Sequence, residues 1–199
     1  MRLARRLHSH CNTTFNTLEM PVSEPLISVT PEEFEKKFRD VIRVGLNWDR
    51  FLEQRWPVDL VRLTTDEELQ RCFVPWYIGP KGEEVAYDDR HAIPMRLTDV
   101  PKAFEILNDE RKSDIQQYVD SFREKADVIA FSVPTYALPD HQYFVLDRNH
   151  RLSALTLNPV KFEVTLWNVR GPMDTDCLLD LNHWLQKDKL IPPDSGTEP

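Results

Sequence analysis

An α+β fold, with a small mixed sheet and helices following a small helical subdomain, is predicted from three observations. Two capping boxes, at Thr30 with Glu33 and at Thr65 with Glu68, open helices in the first part of the chain. From His91 onward, strand-like and helix-like segments alternate. The stretch FVLDRNHRLSAL, residues 144–155, turns from a buried-strand pattern into a short-helix pattern through five consecutive polar or charged residues, with no glycine to ease the turn.

The first helix begins in SVTPEEFEKKFRDVIRVG. Thr30 is its N-cap, Pro31 takes the first helical position, and Phe34, Phe38, Val41 and Ile42 recur on one face. Trp48, Phe51, Leu52 and Trp56 lie in a stretch read as helical in part, and Thr65 caps a shorter helix. Residues 22–75 thus read as a small helical unit. A loop or hairpin at 75–90, with two of the chain's five glycines, completes a subdomain over 22–90. Trp48, Trp56 and Trp76 either form the core of this unit or cover an apolar ligand.

Residues 91–190 read as the main domain. Ala92–Leu97 is a strand, and Ser113 is expected to cap a helix whose Ile115, Tyr118, Val119 and Phe122 share one face. Val128–Val133 and Gln142–Leu146 are strands, separated by a loop at Pro139-Asp140. The polar corner and its helix follow, breaking at Asn158-Pro159. Phe162, Val164 and Leu166 alternate with Lys161, Glu163 and Thr165 in a half-buried strand, and Cys177, Leu178, Leu181 and Leu185 mark a last helix.

The tails 1–21 and 191–199 are expected to be disordered. The first eighteen residues are basic, free of acids and hold several Ser and Thr, so organelle targeting, a basic tail and an over-extended start site all fit them. His8, His10 and Cys11 make a poor preformed metal clip there. Cys11, Cys72 and Cys177 are odd in number and far apart, which argues against a disulfide framework or structural zinc and for a reducing, cytoplasmic setting. The net charge of -8 disfavours DNA as a partner, and no apolar run is long enough for a membrane span.

A strand turning directly into a helix exposes the first N–H groups of that helix, which suit a phosphate or carboxylate. His150 and Arg151 stand beside that end and add an imidazole and a guanidinium fork. The other reading is that Asp147 caps the helix while Arg148, His150 and Arg151 are solvated or paired with surface acids. No G-x-x-x-x-G-K-[ST] loop is present, so a P-loop cannot be the source of phosphate binding.

From about Ala92 to Val169 the chain resembles the ParB/sulfiredoxin superfamily. The resemblance is carried by Asp147-Arg148-Asn149-His150-Arg151-Leu152-Ser153-Ala154-Leu155 and by the order of IPMRL, DIQQYVDSFRE, VIAFSVP, QYFVLD and KFEVTLW around it. It implies a nucleotide such as ATP, with phosphates held by Asn149, His150, Arg151 and Ser153 and Mg²⁺ held by Asp147. Two departures stand out. Arg148 occupies the family's glycine position, where a side chain resists a left-handed backbone, and Asn149 replaces the sulfiredoxin cysteine, which removes the thiolate nucleophile.

Within the superfamily, the resemblance to free serine kinase-like enzymes implies a phosphotransferase acting on a small hydroxyl-bearing substrate. A carboxylate from FEILNDER would assist, and Glu105, Asp109 and Glu110 are the candidates, with Asp147 beside the phosphates. The alternative is a non-catalytic nucleotide- or partner-binding module, whose helical N-terminal subdomain docks a protein partner.

Overall fold

The computed structural model describes residues 27–124 and 127–185. The two tails, with His8, His10 and Cys11, lie outside the described residues. The elements run in the order β1 (Ile27–Val29), α1 (Pro31–Phe38), α2 (Trp48–Gln54), β2 (Val58–Leu63), α3 (Asp66–Leu69) and β3 (Cys72–Ile78). They continue with β4 (Glu84–Val85), β5 (Ile93–Arg96), α4 (Val100–Ala103), α5 (Asp109–Arg123), β6 (Ile129–Leu138) and β7 (Gln142–Val145). The chain then forms α6 (Asn149–Thr156), β8 (Phe162–Val169) and α7 (Asn182–Leu185).

The strands form one mixed sheet in the order β1-β2-β8-β6-β7-β3-β4, with β5 also paired to β3. The β6–β8 and β3–β7 pairs are parallel and the others antiparallel. The α+β class is therefore what forms. Strand alternation divides the apolar residues between two cores. Val61, Val74, Trp76, Val145, Val164 and Leu166 face one, with Ile115 and Val119 of α5 and Leu152 and Leu155 of α6. On the opposite face Phe73, Tyr136, Phe144, Leu146 and Val169 meet Phe34 and Phe38 of α1, Phe51 of α2, and Leu178 and Leu181.

The expected helical subdomain over 22–90 is corrected. Both capping boxes form, yet they open helices of only 8 and 4 residues. The segments between and after them, VDLVRL and CFVPWYI, are β2 and β3 of the main sheet. Both strands carry apolar residues on both faces, so neither shows the alternation that marks a half-buried strand. Phe34 and Phe38 of α1 and Phe51 of α2 are fully buried against the chain's own sheet.

The region 75–90 contains the β3–β4 hairpin, closed by Gly79 N–H to Glu83 O and Gly82 N–H to Gly79 O bonds, with Gly82 at φ 79°. The helix expected to start at Ser113 starts at Asp109. Asn108 is its cap, its side chain accepting from the Arg111 N–H at 2.9 Å. The expected last helix is reduced to a 3₁₀ turn at Leu179–Leu181 followed by the four residues of α7. No helix among the described residues is long and apolar enough to cross a membrane.

Candidate functional site

β7 brings Tyr143 and Val145 to one core and Phe144 and Leu146 to the other, so the chain leaves the sheet at Asp147 fixed on both sides. The turn into α6 is made by Arg148 at φ 66° and ψ 20°, a left-handed conformation. An arginine thus takes the backbone shape that favours glycine, at a cost of about 1–2 kcal/mol. The side chain is not left in solvent. Its guanidinium donates to the Ser132 carbonyl at 2.5 Å and lies 5.7 Å from the centre of the Phe38 ring, contacts that offset the strain. Burial, and the neighbouring Arg151 guanidinium, hold Arg148 below the usual arginine range.

The anchored side chain makes the two smallest replacements differ. Arg148→Ala loses the bond to Ser132 and keeps the strain, whereas Arg148→Gly loses the bond and relieves the strain. The glycine variant should therefore melt higher than the alanine variant, by the equivalent of about 1 kcal/mol. Equal melting temperatures would show that the backbone stores no strain at the corner.

Asp147 Oδ1 accepts the Arg148 N–H at 2.6 Å, and among the described residues no side chain caps α6. The first amide bonded within the helix is that of Leu152, to Arg148 O. The N–H groups of Asn149, His150 and Arg151 therefore point out of the helix end together. Ser153, one turn further on, is fully buried, and its Oγ has no hydrogen-bond partner among the described residues. His150 Nε2 is likewise buried and without a partner. Two orphaned polar atoms three residues apart lie on neighbouring positions of one helix. Such atoms call for a water or a ligand group to complete them.

α5 supplies the other wall. Asp114 Oδ2 lies 3.6 Å from His150 Nδ1, and the Tyr118 ring, one turn along, lies 5.1 Å from the Arg151 guanidinium. Burial lowers the His150 pKa, with Asp114 opposing it, so the imidazole is held toward its neutral form. Arg151 pairs with no carboxylate among the described residues, which leaves its charge available.

The corner residues Asp147, Asn149, His150, Arg151 and Ser153 thus share one strand–helix junction, and among the described residues no contact ties Glu105, Asp109 or Glu110 to it. Glu105 and Glu110 are exposed, and Asp109, 99% exposed, pairs with Lys112. They occupy the 3₁₀ turn and first helical turn that precede Asp114, and the helix carries its carboxylate to His150 only at that later position. Sequence reasoning missed Asp114 because its spacing looks like any solvated position of an amphipathic helix.

A cleft of about 440 Å³ has Arg43, Trp76, Tyr77, Tyr87, Arg111 and Asp180 among its lining, and no residue of the corner. The Trp76 ring lies 5.4 Å from that of His150 and is 2% exposed, so this tryptophan is both core and cleft wall. Arg111 lies 5.2 Å from the Trp76 ring and is paired with Glu84, which also accepts the Asn108 N–H at 2.9 Å. The hairpin is thereby tied to the start of α5.

Neither Cys72 nor Cys177 is at the site. Both are buried free thiols whose pKa burial pushes up to about 12, the opposite of a reactive thiolate. No group of three or more His, Cys, Asp or Glu side chains able to hold a metal occurs among the described residues. No family model, curated protein or solved structure matches the chain.

Proposed function

We propose that the chain is a nucleotide-binding protein of ParB/sulfiredoxin-like type, in which the first turn of α6 holds phosphate. The observation that carries this reading is the helix end, where three N–H groups point outward and, among the described residues, no side chain caps the helix, Arg151 pairs with no carboxylate and the buried Ser153 Oγ has no hydrogen-bond partner. The order β5, α5, β6, β7, corner, α6 and β8 follows the order on which the resemblance rests. Asp147 has one oxygen engaged by Arg148 and the other without a hydrogen bond among the described residues. A single carboxylate plus phosphate oxygens is a usual protein share for Mg²⁺, which would neutralise phosphate charge there.

A second reading, phosphoryl transfer to a small hydroxyl, is favoured by the Asp114–His150 pair. Neutral His150 would take the hydroxyl proton at Nε2 while the hydroxyl oxygen bonds the terminal phosphorus and the bond to the leaving diphosphate breaks. Asp114 would stabilise the imidazolium formed. This moves the acid–base role from Glu105 or Asp109 to His150.

Thermal unfolding with ATP and Mg²⁺ tests the binding reading. Saturation to about 100 times Kd should stabilise the fold by about 2.7 kcal/mol, raising Tm. An unchanged Tm at millimolar nucleotide would remove both readings.

A further inference from the structure

We propose that phosphate binding at the corner is coupled to uptake of a proton by His150, with Asp114 as the counter-ion; this rests on the phosphate-binding reading. A charged imidazole cannot act as a base, so the inference stands on binding alone and not on transfer. The His150 N–H is one of the three that leave the first turn of α6, so a phosphate held there lies within one residue of the imidazole. One turn further on, the Ser153 Oγ is fully buried and without a partner among the described residues, a second sign that this helix end is incomplete.

In the chain by itself the ring resists a charge. It is half-buried, lies 5.4 Å from the buried Trp76 ring, and as an imidazolium would carry an N–H at Nε2, which has no acceptor among the described residues. Burial accordingly lowers its pKa. Around it, Asp114 and Asp147, which favour the proton, are set against Arg111 and Arg43, which oppose it. Asp114 and Arg111 come from α5, Asp147 from the corner and Arg43 from the segment between α1 and α2, while β3 contributes the uncharged Trp76. A bound phosphate adds negative charge to this balance, and an opposite charge within about 4–6 Å raises the proton affinity of a side chain about tenfold or more. Asp114 Oδ2, 3.6 Å from Nδ1, is already within ion-pair distance of the imidazolium that results. A group whose proton affinity rises on binding makes the complex tighter as pH falls through the value of the bound form, and the gain levels off once the free ring is protonated too.

Titration calorimetry on the full chain with ATP and Mg²⁺, repeated across pH in buffers of different ionisation heat, counts the protons taken up. ATP exchanges protons of its own, so the quantity that matters is the excess of the natural chain over His150→Gln. That excess should reach about half a proton or more near the ordinary imidazole value of about pH 6.5 and vanish by about pH 8. Over the same range the affinity of the natural chain should rise about fivefold more than that of the variant as the pH falls. Asp114→Asn should move the uptake maximum to lower pH, because the imidazolium loses its counter-ion. The imidazole proton resonances of His150 in the natural chain read the coupling without any substitution, and their titration midpoint should rise when ATP is bound. Equal uptake in the natural chain and a folded His150→Gln protein, or a midpoint that bound ATP leaves unchanged, would overturn the coupling and leave the phosphate site standing. An uptake maximum unmoved in a folded Asp114→Asn protein would overturn the counter-ion. No ATP binding at any pH would overturn the coupling and the phosphate site together.

Discussion

Arg151→Ala is expected to weaken ATP binding about ten- to a hundredfold, through loss of one charge-assisted bond of about 1.5–3 kcal/mol. The fold should barely notice. Arg151 occupies the third position of α6, is half-buried against Tyr118 at 5.1 Å, and pairs with no carboxylate among the described residues. Removing it costs the protein about 0.5–1 kcal/mol of cation–ring attraction and leaves no buried acid behind. A structural arginine would show the reverse, a large fall in Tm with affinity changed only through unfolding. Unchanged affinity in a folded Arg151→Ala protein would defeat the anion site.

The largest stability effect is expected at Gly171, just after β8. A Cβ built there falls on the Tyr136 hydroxyl and within 2.6 Å of Trp56 Cε3. Tyr136 is fully buried, donates to Pro172 O at 2.7 Å, and meets the Trp56 ring edge-on at 6.1 Å. Tyr136 cannot move without disturbing the core shared by β6, α1 and the C-terminal turn, against which the partly buried Trp56 packs. Overpacking of this kind costs about 1–3 kcal/mol, and a displaced Tyr136 hydroxyl adds about 1 kcal/mol for its lost bond. Gly171→Ala should therefore lower stability by about 3 kcal/mol, read as a shift in the urea midpoint. A shift below about 1 kcal/mol would mean that Trp56 has room to rotate away.

Legibility in the sequence followed the range of the interaction that builds each element. The boxes at Thr30 and Thr65 were legible because each bond spans three residues, and the structure forms both. The β7–α6 corner was legible because strand, polar turn and helix are contiguous. VDLVRL and CFVPWYI were not: besides β1, β4 and β5 they pair with β8 at 164–169 and β7 at 143–144, and their burial depends on that pairing across the chain. The expected strand at 128–133 stopped before Pro134, whereas β6 runs through that residue to Leu138 because its partners β7 and β8 continue alongside it. The loop after the first strand offers Glu105, Asp109 and Glu110 as candidate carboxylates, while in three dimensions it is Asp114 that lies beside His150. Arg43, Trp76 and Asp180 come to line one cleft only through folding, and no local spacing announces them.

The most direct test of phosphate binding at this corner is an amide nitrogen–proton correlation spectrum recorded during titration with ATP and Mg²⁺. The N–H groups of Asn149, His150 and Arg151 should show the largest shifts in the protein, moving downfield as they donate to phosphate oxygens. The same three amides holding still through the titration, whether other signals move or none do, would contradict a phosphate site on α6.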